Sequence, residues 1–284
     1  MTFMVITMTK KRPAKKRPAA RKAKPAKRAG KPAARRPAAK TPRKKAERIQ
    51  KITEAIKTKV MNMEKGPEPI PQVPRKEIDL FTSDGVHIKA DFYDDMKTEK
   101  GVILLPMLGR TKDTLSDLAS SLHPAGYKCL ALDPRGHGRS QMNWQSFTSH
   151  DLNNTANDIR AAKDYLSAHG SKKVSIIGAS IGANLALNYA VTDSEVRTVV
   201  MLSPGLDYRG VKTNLTAQEM RRPFLIIVSK EDDYSYKSAL QIDRLSGSED
   251  TRLDVHEGLG HGTEMFKDRK LLKTIREWLD AHVL

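Results

Sequence analysis

The 284 residues allow one or two domains, and Lys and Arg outnumber Asp and Glu by 51 to 33. Residues 9–48 hold 19 of those bases against the single acid Glu47, so the whole excess of +18 lies in that stretch and the rest of the chain is neutral. A neutral body gives no electrostatic reason to expect nucleic acid, and a single cysteine excludes an intrachain disulfide.

The first eight residues are apolar but short, precede the positive charges and lack a small-residue cleavage site, a poor pattern for a signal peptide. No apolar run approaches the roughly 18 residues of a membrane span, and the expected setting is cytoplasmic, with association to a nucleoid or other nucleic acid open. From Thr9 to about Lys45 the chain is almost wholly Lys, Arg, Ala and Pro. With nothing to bury, frequent proline and self-repelling charge, residues 1–48 read as a disordered tail. In composition alone it resembles the tails of linker histones and histone-like bacterial proteins. It suits phosphate neutralisation on nucleic acid or another polyanion through residues 9–48; a merely solubilising extension is the bland alternative.

Apolar residues then return at Ile49, Ile52, Ile56, Val60 and Met63, the spacing of an amphipathic helix assigned to residues 49–65. Four prolines between Gly66 and Pro74 read as an extended linker. Beyond it, residues 75–284 alternate strand and helix. Glu77–Thr82 and Val86–Phe92 flank the turn Ser83-Asp84-Gly85 as a hairpin. Further strands are expected at 101–106, 127–132, 174–177, 196–202, 224–229 and 252–256, with helices at 113–122, 152–169, 183–190, 215–220, 234–245 and 266–283. Strands separated by helices give an α/β domain with a mostly parallel sheet covered on both faces. Cys129, within such a strand, reads as a small core hydrophobe.

The centre of this domain is Val174–Ala190, a strand, the pentapeptide Gly178-Ala179-Ser180-Ile181-Gly182, and a helix. A sharp turn of that kind presents Ser180 above a sheet and requires small residues around it. A serine nucleophile needs a base and the base an orienting acid, both on later strand ends. The strand at 224–228 runs into Ser229-Lys-Glu-Asp232-Asp233, and the strand at 252–256 into Glu257-Gly-Leu-Gly-His261-Gly. Asp232 and Asp233 compete as the acid. His261, between two glycines in a loop, is favoured over His256, which ends a strand; His137 reads as structural and His150 as surface or capping.

Four segments, GVILLPMLGRTKDT, DPRGHGRS, GASIGA and the two strand ends just quoted, give residues 76–284 a resemblance to the α/β-hydrolase superfamily. The branches it most resembles are lidless serine esterases of the dienelactone-hydrolase kind and serine aminopeptidases. The resemblance implies an eight-stranded, mostly parallel sheet and the triad Ser180, Asp232 and His261, Asp232 being selected by the family's spacing after a small residue. It also implies an oxyanion hole from the backbone amides of Leu108 and Ile181. The usual His-Gly after the third strand is replaced by Pro106-Met107, and Met107 has fewer conformations available than glycine. Few residues separate Ser203 from the strand at Phe224, too few for a helical lid. The implied activity is acyl-enzyme hydrolysis of a small or extended ester or thioester, with a peptide end as a further possibility and no cofactor or metal. The alternative is a catalytically weak binding or scaffold protein of the same fold whose tail binds nucleic acid.

Overall fold

The computed structural model describes residues 42–64, 70–94 and 97–283. The basic tail up to residue 41 lies outside them, as does the first half of the proline-rich segment. The chain divides into two units, residues 1–61 and 62–284.

Helix α1 runs Pro42–Glu64, all but its last three residues in the first unit. It starts within residues 1–48, so the reading of 42–48 as disordered is corrected. Pro42 occupies the first helical position, where a missing N–H is harmless and a fixed φ helps. The next proline is Pro67, which leaves a long run of Lys, Glu, Ala and Ile that favours helix. Ile49, Ile52 and Ile56 share one side of α1 and are about half exposed, at 56, 50 and 56 %.

In the second unit, residues 70–74 are more than a spacer. Ile70 and Val73 pack against the core, and the Gln72 amide donates to Asp117 at 3.0 Å. The strands follow as β1 (Lys76–Phe81), β2 (His87–Tyr93), β3 (Lys100–Leu105), β4 (Lys128–Asp133), β5 (Lys173–Ala179), β6 (Val196–Leu202), β7 (Asp207–Tyr208), β8 (Val211–Lys212), β9 (Phe224–Ser229) and β10 (Thr251–His256). Eight of them form one sheet in the order β1-β2-β4-β3-β5-β6-β9-β10. The pairs β1/β2 and β2/β4 are antiparallel, and the remaining neighbours in that order, from β4/β3 to β9/β10, are parallel. The β1–β2 turn closes at Thr82 and Val86, with Gly85 at φ +80°.

Both faces of the sheet are covered, which is why β3 to β6 and β9 read as continuous apolar runs. Ile103 and Leu105 face a core shared with helices α4 (Thr155–Ala168), α5 (Ile181–Thr192), α6 (Asn214–Glu219) and α7 (Asp233–Leu245). Val102 and Leu104 face the other core, under α2 (Ser116–Leu122) and α8 (Arg269–His282). Cys129 is fully buried on β4, and burial pushes its thiol far above the ordinary range.

Two expected helices are interrupted. The expected 152–169 helix becomes α3 (Ser149–Asn153) and α4, because Thr148 and Asp151 form a reciprocal capping box that starts a separate turn. The expected 266–283 helix becomes a 3₁₀ segment, Gly262–Lys267, and α8. Asp268 separates them, its side chain accepting from the Lys270 amide at 3.0 Å. The β7/β8 hairpin is too short for periodicity to reveal.

Candidate active site

The parallel strands place their carboxyl ends on one edge, and the chemistry-bearing loops leave from there. β5 ends at Ala179 and α5 begins at Ile181, with Ser180 between them at φ 55°, ψ −123°. That left-handed conformation is unfavourable for a residue with a Cβ and is held by its surroundings. The Ser180 amide donates to the Leu202 carbonyl at 2.8 Å. A Cβ on Gly178 would lie 2.1 Å from the Gly182 carbonyl oxygen, and one on Gly182 would lie 2.6 Å from that of Pro106. The two glycines are therefore required by close backbone approach.

The second contact presses the turn against the loop after β3. Ile181 is the first residue of α5, so its N–H has no intrahelical partner. Leu108 lies in the loop after β3, in a turn closed by the Arg110 amide on the Met107 carbonyl at 3.0 Å, with Gly109 at φ +70°. Among the described residues the non-glycine positions with positive φ are Met142, Ser180, Ser203 and Arg209. Met107 thus avoids the backbone region that would demand glycine. Its side chain is buried instead, with Sδ 2.3 Å from where a Cβ on Gly262 would stand.

Asp232 precedes α7, and its Oδ2 lies 2.6 Å from Nδ1 of His261. Asp233 turns outward to Lys237, at 2.8 Å. The structure therefore brings Asp232 and not Asp233 to the histidine. His256 ends β10 in register with Ser229. His137 is buried with Nδ1 3.0 Å from the Arg135 carbonyl, and burial lowers its pKa. His150 is an exposed residue of α3.

The loop that carries His261 is tied down at four amides. Gly258 donates to Glu231 Oε2 at 2.7 Å, Leu259 to Ser229 Oγ at 3.0 Å, His261 to Glu264 at 3.3 Å and Gly262 to Ser203 Oγ at 2.9 Å. A Cβ on Gly262 would also meet that of Ala179 at 3.5 Å. The histidine loop therefore abuts the residue before Ser180.

Comparison with known proteins agrees with this architecture. Residues 97–216 match the family described as serine aminopeptidase, S33. An esterase of Pyrococcus furiosus superposes with a TM-score of 0.65 at 18% identity, covering 74% of this chain and 93% of that one. The chain has the α/β-hydrolase fold. Among curated proteins, the polyketide transferase grgF of a Penicillium species is 25% identical over 157 residues, 54% of this chain and 51% of its own. A polyketide transferase of Gibberella fujikuroi is 28% identical over 127 residues, 43% of this chain and 39% of its own. The chain thus spans about half or less of the length of these relatives.

The fold is lidless here: between β6 and β9 the chain carries only β7/β8 and α6. The segment is clasped to α5 through Asn184, which accepts from the Gly205 amide at 3.0 Å and donates to the Val211 carbonyl at 2.8 Å. Three site residues escaped the sequence reading. Ser203 is fully buried at φ +49°. The Tyr208 hydroxyl lies 2.8 Å from Ser235 Oγ and donates to the Ser203 carbonyl at 3.2 Å, and its ring stands edge-on to that of His261, centroids 6.3 Å apart. Ser235 Oγ in turn is 3.5 Å from His261 Nδ1. Ser203 and Tyr208 follow a strand end next to that of the nucleophile, the one positional signal that pointed to them.

Proposed function

We propose that the chain is a serine hydrolase acting through an acyl-enzyme on a small or extended ester or thioester. The observation that carries the reading is the Asp232–His261 contact of 2.6 Å on the same sheet edge as the strained Ser180 turn. In this reading Nε2 of His261, the ring nitrogen away from Asp232, takes the Ser180 proton as Oγ attacks the acyl carbon. Asp232 holds the ring and the imidazolium's charge. The amides of Leu108 and Ile181 receive the oxyanion, each contributing about 3 kcal/mol if aligned as such donors usually are. The absence of a lid leaves an open site, which suits small or extended acyl groups, a peptide end among them. Water is the acceptor. The polyketide transferases among the relatives favour, as a second reading, acyl transfer to another acceptor.

Turnover of p-nitrophenyl acetate should vanish in Ser180→Ala, and a fluorophosphonate should label the unmodified protein at Ser180 only. Turnover retained in Ser180→Ala rules the reading out. Failure to label with the fold intact favours the scaffold alternative.

For residues 9–48 we propose polyanion binding by counterion release. Affinity for duplex DNA should fall linearly on a log–log plot against salt and be lost on removing residues 1–48. Binding that survives this deletion refutes the proposal.

A further inference from the structure

We propose that the Tyr208 hydroxyl is a catalytic hydrogen-bond donor to the oxygen that leaves the acyl carbon, and to the acceptor oxygen that later enters. The inference rests on the serine-hydrolase reading above and adds to it a group that sequence motifs do not mark. The order of the sheet supplies the first argument. β5, which leads to Ser180, lies between β3 and β6. The loop after β3 supplies the Leu108 amide on one flank, and the segment after β6 supplies Tyr208 on the other. His261 stands on the Tyr208 flank, its ring perpendicular to the phenol ring at 82°. A group on that flank meets the leaving oxygen and not the oxyanion.

The second argument is how firmly the phenol is placed. The Tyr208 ring packs edge-on to Tyr234 at 5.5 Å. Gly205 makes room for it, since a Cβ there would lie 2.6 Å from the ring. The hydroxyl is held between Ser235 and Ser203, near enough to Ser180 for that side chain to act on it. Burial pushes the phenol up to about 12, so it carries its proton at neutral pH and can donate. Rotation of the O–H about its C–O bond redirects the proton from Ser203 to a substrate oxygen without moving the ring.

The step balances as follows. Ser180 Oγ bonds to the acyl carbon, the carbonyl π pair moves to the carbonyl oxygen, and His261 Nε2 holds the former Ser180 proton. On collapse that pair re-forms the carbonyl and the bond to the leaving oxygen breaks, its electrons staying on that oxygen. His261 returns the proton to it. Tyr208 donates a hydrogen bond throughout and transfers no proton, which steadies the negative charge that builds before protonation.

The test compares two esters of one acyl group, a p-nitrophenyl ester and an ethyl ester, in the full chain and in Tyr208→Phe. p-Nitrophenolate departs without help, whereas ethoxide does not. Tyr208→Phe should lower kcat/KM for the ethyl ester by on the order of tenfold or more, the worth of one such hydrogen bond, and leave the p-nitrophenyl ester within about twofold. An equal fall for both esters marks a structural role and overturns the inference, as does no change for either. Ser180→Ala separates the two levels: loss of all turnover in that variant with unaltered ester selectivity in Tyr208→Phe overturns the Tyr208 role alone, and turnover persisting in Ser180→Ala removes the underlying reading. If Tyr208→Phe does not fold, Ser235→Ala takes away the phenol's 2.8 Å partner and keeps the ring. The same selectivity shift, smaller in size, is then expected, and its absence overturns the inference.

Discussion

The Gly262 amide donates to Ser203 Oγ at 2.9 Å, joining the residue after His261 to the first residue after β6. Ser203 holds φ +49° and is fully buried, so this backbone strain is maintained by packing and by that bond. Through it the position of the histidine loop depends on a fully buried side chain.

Ser203→Ala and Ser203→Gly should therefore separate position from strain. Both leave the Gly262 amide without its acceptor, at about 1–3 kcal/mol, and both should lower kcat for p-nitrophenyl acetate more than they change KM. Glycine also relieves the positive φ, so Ser203→Gly should unfold at higher urea than Ser203→Ala, by about 1 kcal/mol. Equal midpoints for the two variants would show that the backbone there is not strained.

The glycines of the serine turn and of the first hairpin make a second comparison. Gly178 and Gly85 can each be changed to alanine, but for different physical reasons. A Cβ at Gly178 meets the Gly182 carbonyl oxygen at 2.1 Å, whereas one at Gly85 meets nothing within 4 Å. Gly178→Ala should destabilise by more than about 3 kcal/mol, the range of severe core disruption. Gly85→Ala, with only its φ of +80° to accommodate, should lose about 1 kcal/mol. Urea unfolding of the two variants checks the order, and similar losses would contradict it.

These contrasts show what was legible in the sequence. The strands on both sides of Ser180 were readable because burial on two faces leaves unbroken apolar runs. The turn was readable because two of its positions admit no side chain. Asp232 and His261 were readable as loop residues after strand ends, and the choice between Asp232 and Asp233 came from a family spacing that the 2.6 Å contact now matches. Ser203 and Tyr208 were not readable, since their neighbours lie far along the chain and no periodicity marks them. The break between α3 and α4 was hidden for a local reason: Thr148 and Asp151 cap a turn within a run whose apolar spacing continues across Asn154. For Met107 the sequence raised a doubt about backbone freedom that depended on a φ value it could not supply.

A third prediction concerns Lys112, buried at the end of the loop after β3. Its Nζ lies 3.3 Å from Asp133, 3.4 Å from Glu77 and 3.7 Å from Asp91. Its amide also donates to Asp133 at 2.8 Å. Lys112→Met keeps the stem and removes the charge, leaving buried carboxylates without it, at a loss of about 3–5 kcal/mol. Burial already raises the Asp91 pKa, so the loss should shrink as pH falls and Asp91 takes up a proton. A loss measured by urea unfolding that is the same at pH 5 and pH 8 would contradict this account.

Arg135 gives the last prediction, because its two carboxylate partners are displaced in opposite directions. The guanidinium bonds Asp84 at 2.7 and 3.0 Å, which holds that carboxyl well below the usual range. Asp158 also bonds Arg135, at 2.9 Å, but it is fully enclosed, and burial pushes it up to about 6. The carboxylate of an unfolded aspartate titrates near about 3.9. For Asp84 the folded value is the lower one, so its stabilisation is present above about pH 4 and is lost as pH falls further. For Asp158 the folded value is the higher one, so the folded state binds the extra proton between about pH 6 and 4, and this group's contribution to stability rises as pH falls through that window. Urea midpoints measured from pH 7 to 3 should therefore fall less steeply below pH 4 in Asp84→Asn than in the unmodified chain. In Asp158→Asn, less stable at pH 7 because Arg135 loses a buried partner, the midpoint should gain less than in the unmodified chain between pH 6 and 4. Parallel curves for all three proteins would show that Asp84 and Asp158 are not displaced in opposite directions.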